Sequence, residues 1–242
     1  MKHLSSEDCA FAARLVAEAA IELHDGALDT MLRHLDFVLE ANSSVNLTAI
    51  DDPHEAVRLH ILDSLSAFEE VRDAPAGLMI DMGSGGGFPG IELALATKRD
   101  TWLVESVKKK CELLQRFIVQ ENLDSWVSVK ALRAEELAVE HPEAAAVVTA
   151  RALASLPSLL ELSAPLLVLR GRLVAMKARI GEEELSRANA AAGLCGMTLR
   201  SMREFSLPES GEFRTVLVFE KTAKPTVVLP RRQGQAQRKP LA

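Results

Sequence analysis

Residues 78–91 read Leu-Met-Ile-Asp-Met-Gly-Ser-Gly-Gly-Gly-Phe-Pro-Gly-Ile. A short apolar run ends in Asp81 and passes into a loop with glycine at 83, 85, 86, 87 and 90. The run fits a buried strand, and the side-chain-poor loop lets a ligand approach the backbone closely. A helix is expected to open near Pro89. Strand, glycine loop and helix in this order are the start of an α/β ligand-binding unit.

Two cofactor classes use such a turn, dinucleotides and S-adenosylmethionine, and Gly85, Gly87 and Gly90 also satisfy the dinucleotide pattern. Charge separates them. A pyrophosphate favours bare amides at a helix N-terminus, and Asp81 would set an acid in its path. A sulfonium and an ammonium are cations, for which that acid is favourable. The spacing Asp81-x-Gly83-x-Gly85-x-Gly87 therefore favours the methyl donor. Trp102-Leu103-Val104-Glu105 follows as a second apolar strand ending in an acid, placed where a carboxylate binds ribose hydroxyls. The plainer reading of Glu105 is a cap on the next helix.

Outward from this unit, strands and helices alternate, which argues for a parallel sheet covered on both faces. Strands are expected at 78–82, 101–105, 127–130, 145–149 and 172–177, then at 197–204 and 213–220 joined by a turn at Pro208 to Gly211. The first 75 residues read as helical: Leu28, Met31, Leu32, Leu35, Val38 and Leu39 recur at helical spacing. A first helix is expected near 8–23 and a third near 54–70, after the start signal Asp51-Asp52-Pro53. The expected division is a helical cap over 1–75, an α/β domain over 76–222, and a basic tail over 223–242.

The 242 residues suffice for one large core, and no apolar stretch reaches the roughly 20 residues that span a bilayer. The first residues carry acids and no apolar segment, and Cys9, Cys111 and Cys195 show no Cys-x-x-Cys spacing. A reduced cytoplasmic monomer without a metal site or membrane contact is expected. The net charge of −6 is unfavourable for a nucleic-acid partner, but it is uneven. Lys221, Lys224, Arg231, Arg232, Arg238 and Lys239 lie in a final segment without acids, which is therefore +6. Such asymmetry suits polyanion contact or a merely solvated terminus.

His60, Asp63 and Ser64 stand at i, i+3 and i+4 of one helix, a spacing that does not set an acid and a nucleophile on opposite imidazole nitrogens. They read instead as a polar patch facing the loop, or as a tie between cap and domain. Tyrosine is absent, no Asn/Asp-Pro-Pro-aromatic loop exists, and no Pro-Cys follows the fourth strand. These absences fit methylation of guanine N7, whose in-plane lone pair carries no proton and needs alignment rather than a base. Leu132-Arg133-Ala134-Glu135-Glu136 follows the third strand, where backbone groups around Ala134 can read an adenine edge. Arg151 closes the fourth strand and faces the crevice at the sheet's carboxyl edge. It suits a carboxylate, a phosphate or a base edge.

The ordered set Asn46-Leu47-Thr48, His60-Ile61-Leu62-Asp63-Ser64-Leu65, Asp81 to Gly90, Leu103-Val104-Glu105-Ser106, Arg133 to Glu136, Thr149-Ala150-Arg151-Ala152 and Pro230-Arg231-Arg232 resembles the RsmG (GidB) family. The run Gly-Phe-Pro-Gly, with His-x-x-Asp-Ser-Leu upstream, is its most specific part. The resemblance implies a Rossmann-like S-adenosylmethionine-dependent methyltransferase of class α/β, with a seven-stranded, mostly parallel sheet and an N-terminal helical extension. It implies methyl transfer to N7 of one guanine in the decoding-region stem-loop of 16S rRNA, as naked RNA, small subunit or assembly intermediate. Carried over, Gly83, Phe88, Ala134, Glu135 and Arg151 are cofactor contacts, joined by Asp81, Gly85, Gly87 and Glu105 from the loop reading. Arg151 and His60 are candidates for positioning. Ala146 and Ala178 depart from the family pattern and bear on the rim of the site.

Overall fold

The computed structural model describes residues 3–242. Helices α1 (Ser6–Glu18) and α2 (Ala27–Asn42) open the chain. Ser5 and Asp8 cap α1 reciprocally, so the entry is fixed by side chains on both sides of the first turn. α1 stops before the expected boundary because Ala20 adopts a left-handed conformation, although Ile21 and Leu23 still pack against the core. The helix expected near 54–70 is broken into α3 (Pro53–Ala56), a π-helical turn at Val57–Leu62, α4 (Asp63–Leu65) and α5 (Phe68–Arg72). The wide turn carries His60, and π-turns of this kind recur at functional sites.

From β1 (Met79–Met82) the chain alternates: α6 (Gly90–Thr97), β2 (Thr101–Val104), α7 (Lys108–Gln120), β3 (Val127–Lys130), α8 (Ala134–Glu140), β4 (Ala145–Arg151), α9 (Leu156–Ser163), β5 (Leu167–Lys177), α10 (Glu182–Leu194), β6 (Met197–Ser206) and β7 (Phe213–Lys221). A short α11 (Gln235–Arg238) ends it. The seven strands lie in the order β3-β2-β1-β4-β5-β7-β6. The first five are parallel, while β7 runs antiparallel between β5 and β6. This is a Rossmann-like α/β sheet with a C-terminal hairpin. β1 and β4 diverge at the switch point, which opens a crevice beyond their carboxyl ends.

β1 is central and all four of its residues are buried, so its apolar run has no solvent face to serve. β5 begins five residues earlier than its periodicity predicts, because Val168 to Arg170 are half-buried or exposed and Arg170 is left-handed. The core does not divide at the Ala74–Gly77 seam. Phe11, Leu15, Met31, Leu35 and Ile61 from the helical segment share one cluster with Met79, Ile91, Val147 and Val174 of the sheet layer. The helical segment is thus one covering layer of the sheet.

The tail is not a solvated arm. Lys221 is buried and donates to Glu143 Oε1 at 2.8 Å and to the Leu167 carbonyl at 2.7 Å. Arg231 forms a two-pronged ion pair with buried Glu161, and Ser158 Oγ donates to the Ala236 carbonyl at 2.8 Å. Two of the six expected cations are consumed internally, since a buried charge needs a partner. Among the described residues, no helix is long and apolar enough to cross a membrane.

Candidate active site

A cleft of about 380 Å³ lies at the carboxyl ends of β1, β2 and β4. Gly83, Ser84, Gly85, Gly86 and Phe88 form its floor, and Glu105, Ala134 and Glu135 flank one side. His60, Leu47, Arg151 and Leu153 flank the other. Two sequence-predicted residues, Asp81 and Gly87, are not among its lining residues.

Gly85 explains the loop. Its φ is +55°, and a Cβ there would meet nothing closer than the Gly83 carbonyl at 3.9 Å, so the cradle opens toward the cleft. Gly87 serves the interior: a Cβ there would come within 2.8 Å of His34 Nε2 and 2.7 Å of Ile91. Glu105 Oε2 accepts from the Gly85 amide at 3.1 Å, and Oε1 from the Val107 amide at 2.8 Å. An incoming pyrophosphate would meet that carboxylate where it needs bare amides, which counts against a dinucleotide. Glu105 thus caps backbone and lines the cleft at once.

Asp81 corrects the first electrostatic reading. Its side chain is fully buried, with Oδ1 accepting from Thr149 Oγ1 at 2.8 Å and Oδ2 without a hydrogen-bond partner. Oδ2 would lie 2.6 Å from a Cβ on Gly90, so the acid presses against the first turn of α6, where a helix N-terminus favours negative charge. It stands behind the cleft and does not line it. Burial pushes the carboxyl up to about 6, against the bonds from Thr149 and Ser84 and the charge of Arg151.

His60, Asp63 and Arg151 converge, but not as a relay. His60 Nε2 lies 2.8 Å from Thr48 Oγ1, and Nδ1 faces Arg151 Nη2 at 3.5 Å. An arginine only donates, so Nδ1 is the bare nitrogen. Asp63 accepts from Arg151 Nη1 at 3.2 Å and from Arg214 Nε at 3.0 Å, while Ser64 Oγ is buried without a partner. The hydroxyl that faces the imidazole is that of Thr48, and with Nδ1 bare it accepts from Nε2–H, so the ring is not its base. The cluster ties the π-turn to β4 and β7, with Arg151 also donating to the Leu59 carbonyl. Burial, with the Arg151 charge, pulls His60 down to about 3.

Phe88 is held in a stack that the sequence did not reveal. His60 lies parallel to it at 4.4 Å and 13°, and His34 lies 4.5 Å away. His34 is buried on α2, with Nδ1 at 2.7 Å from Glu92 Oε1 and Nε2 donating to the Gly86 carbonyl at 2.9 Å. The helical layer therefore grips the glycine loop from behind. The available signal was a histidine one position before Leu35 on an apolar helix face, with Glu92 inside an equally apolar helix.

Asp81 and His60 have opposite effects on stability. Between pH 4 and 6 the native state holds a proton on Asp81 that the unfolded chain releases, so acidification stabilises the fold. Between pH 6.5 and 3 the unfolded chain protonates its imidazole while native His60 stays neutral, so acidification destabilises it. Each slope is about 1.4 kcal/mol per pH unit, and the two largely cancel between pH 4 and 6. Asp81→Asn is expected to lose stability across that window and His60→Gln to gain it, as urea midpoints from pH 4 to 7 would record. Parallel pH profiles for the two variants would refute this assignment.

Comparison with known proteins agrees with this architecture. The family description "GidB: rRNA small subunit methyltransferase G" matches residues 27–211. Ribosomal RNA small subunit methyltransferase G of Symbiobacterium thermophilum is 36% identical over 233 residues, covering 93% of this chain and 95% of the relative. The protein of the same name from Desulfitobacterium hafniense is 34% identical over 224 residues, covering 91% and 92%. Among solved structures, geranyl diphosphate C-methyltransferase from Streptomyces coelicolor superposes with a TM-score of 0.57 at 11% identity, over 70% of this chain and 79% of that one. At that identity the likeness concerns the fold alone. Among the described residues, no group of three or more His, Cys, Asp or Glu is placed to hold a metal ion.

Proposed function

The chain belongs to the GidB family of rRNA small subunit methyltransferases G, and from that premise we propose that it methylates N7 of one guanine in the decoding-region stem-loop of 16S rRNA, using S-adenosylmethionine. The observation that carries this reading is the cleft itself: a glycine cradle open at Gly85, flanked by the carboxylate of Glu105 and backed by buried Asp81. These residues fit a cationic adenosyl ligand. Two acids suit its positive groups, the open φ-positive glycine admits close backbone approach, and Glu105 keeps lone pairs to accept from ribose hydroxyls.

When bound, the cofactor supplies an electrophilic methyl group on sulfur. The chain's own residues align and shield. Gly83, Gly85 and Phe88 form the floor, Ala134 and Glu135 bound the adenine end, and Arg151 and His60 close the opposite wall. Guanine N7 would be the nucleophile: its ring-plane lone pair carries no proton, so transfer to it would need alignment and no base from the chain. Neutral His60 is therefore a positioning residue: its ring buttresses Phe88, and its bare nitrogen faces Arg151. Arg133 and Lys110 on the rim supply cations for the RNA backbone.

Of the three proposed segments, the helical one contributes Leu47 and His60 to the cleft, 76–222 the glycine loop and the strand ends, and 223–242 Gln237. The working unit proposed is the monomer, and a ribosomal substrate supports a cytoplasmic site of action. The test is incubation with labelled methyl donor and small ribosomal subunits lacking the modification, followed by mapping of the labelled nucleotide. Label at a guanine N7 is expected. Label at an exocyclic amine, or none with donor in excess, would remove the proposal.

The His34 grip yields a second test. His34→Gln keeps a donor near the Gly86 carbonyl, whereas His34→Asn reaches only toward Glu92. His34→Asn is expected to raise the KM for the methyl donor about tenfold, the loss of one good hydrogen bond, and His34→Gln much less. Equal KM values in the two variants would show that the Gly86 contact is unimportant.

A further inference from the structure

The C-terminal segment returns to the cleft. Beyond β7 the chain crosses α9, is pinned there by Arg231 on Glu161, and runs into α11, whose Ala236 is buried. The Gly234 amide donates to Glu135 Oε1 at 2.6 Å, so the strap is bonded to the residue that bounds one end of the cleft. Arg231 Nη2 also donates to the Lys239 carbonyl at 2.8 Å, and Arg187 donates to the Ala242 carbonyl at 2.7 Å. These contacts hold both sides of α11. Gln237, one residue beyond buried Ala236, lines the cleft on the side of Ala134 and Glu135. Among the described residues its amide has no hydrogen-bond partner.

We propose that the strap 229–242 is a wall of the cofactor site and that Gln237 reads the adenine edge of the methyl donor. The assignment rests on the adenosyl reading of the cleft given above. A carboxamide pairs with the N6/N7 edge of adenine in two directions at once: its oxygen accepts from the N6 amine and its nitrogen donates to N7. On that edge a 6-oxo purine offers two acceptors, O6 and N7, so one of the two bonds is lost. The strap thereby contributes a specificity-determining residue from a segment whose composition suggested only charge. Arg232, Arg238 and Lys239 stay exposed on the strap, outside the cleft.

The test compares S-adenosylhomocysteine with S-inosylhomocysteine by calorimetry on the full chain. Wild-type protein is expected to prefer the adenosyl ligand. Gln237→Ala is expected to weaken that ligand about five- to tenfold, the worth of one to two neutral hydrogen bonds. The inosyl ligand should lose much less, so the preference shrinks. Gln237→Ala alters an exposed side chain, and its melting temperature without ligand should equal that of wild type. Lys239→Ala, on the same strap, should leave both affinities unchanged. Equal loss for the two ligands, or no loss for either, would overturn the role of Gln237. Wild-type protein that binds neither ligand would overturn the adenosyl reading itself, and this proposal with it.

Discussion

Gly85→Asp is expected to abolish binding of the methyl donor while leaving the protein folded. The backbone at Gly85 has a φ of +55°, a left-handed conformation that aspartate tolerates better than most side chains. A Cβ there meets no atom closer than 3.9 Å, so the fold absorbs the substitution. The added carboxyl group must then point into the cradle, beside Glu105, whose Oε2 lies 3.1 Å from the Gly85 amide. It occupies space the ligand needs and repels the carboxylate that holds the loop. A loss of at least ~100-fold in affinity, about 2.7 kcal/mol, is expected. Calorimetric titration with S-adenosylhomocysteine measures it, and a melting curve within a few degrees of wild type controls for folding. RNA association should survive, which separates catalysis from docking. Turnover at the wild-type rate would show that the cofactor lies elsewhere. Gly90→Ala is the counterpart: its Cβ would come within 2.5 Å of Leu103 and 2.6 Å of Asp81 Oδ2, so the fold suffers first.

Arg231→Met should produce the largest loss of stability among single changes in the tail. Glu161 is buried, and its two oxygens are taken by Nε and Nη2 of Arg231. Removing the guanidinium strands a carboxylate in the core beside Cys195, whose thiol is pushed up to about 12 by burial and the nearby Glu161 charge. Breaking one side of a buried pair costs about 3–5 kcal/mol, which for a chain of this size lowers the melting temperature by on the order of 10 °C. The double variant Arg231→Met/Glu161→Leu should recover most of that loss, because two apolar groups of similar volume leave nothing unpaired. If the double variant melts no higher than the single one, the ion pair is not what fastens the strap. Loss of the strap should also weaken ligand binding, since Gly234 and Gln237 move with it.

Much of the architecture was legible because local chemistry and global fold agree. The apolar run before Asp81, the second one before Glu105 and the helical spacing on α2 each state their own period. A central strand and a covering helix have no other way to bury those side chains. The glycines at 83 and 85 and the residues Phe88, Glu105, Ala134, Glu135, Arg151 and His60 were all found where the cleft lies. The boundaries of α1 and β5 and the π-turn were not, since they depend on single backbone conformations and on long-range contacts.

The misread residues face inward for reasons of packing. Asp81 lies in β1 with its carboxylate against Gly90 in the first turn of α6, and Gly87 backs onto His34 and Ile91. His34, Glu92 and Gln237 were passed over because each stands in a stretch whose composition advertises something else: an apolar face or a basic tail. By itself the sequence determined the sheet, the cradle, the charge of the ligand it suits and the family to which the chain belongs. Only the tertiary structure decided which acid touches the cleft, which histidine grips the loop and where the tail ends. Partners 58 and 99 residues apart, His34 with Glu92 and Glu135 with Gly234, are chosen by packing, and no local period records them.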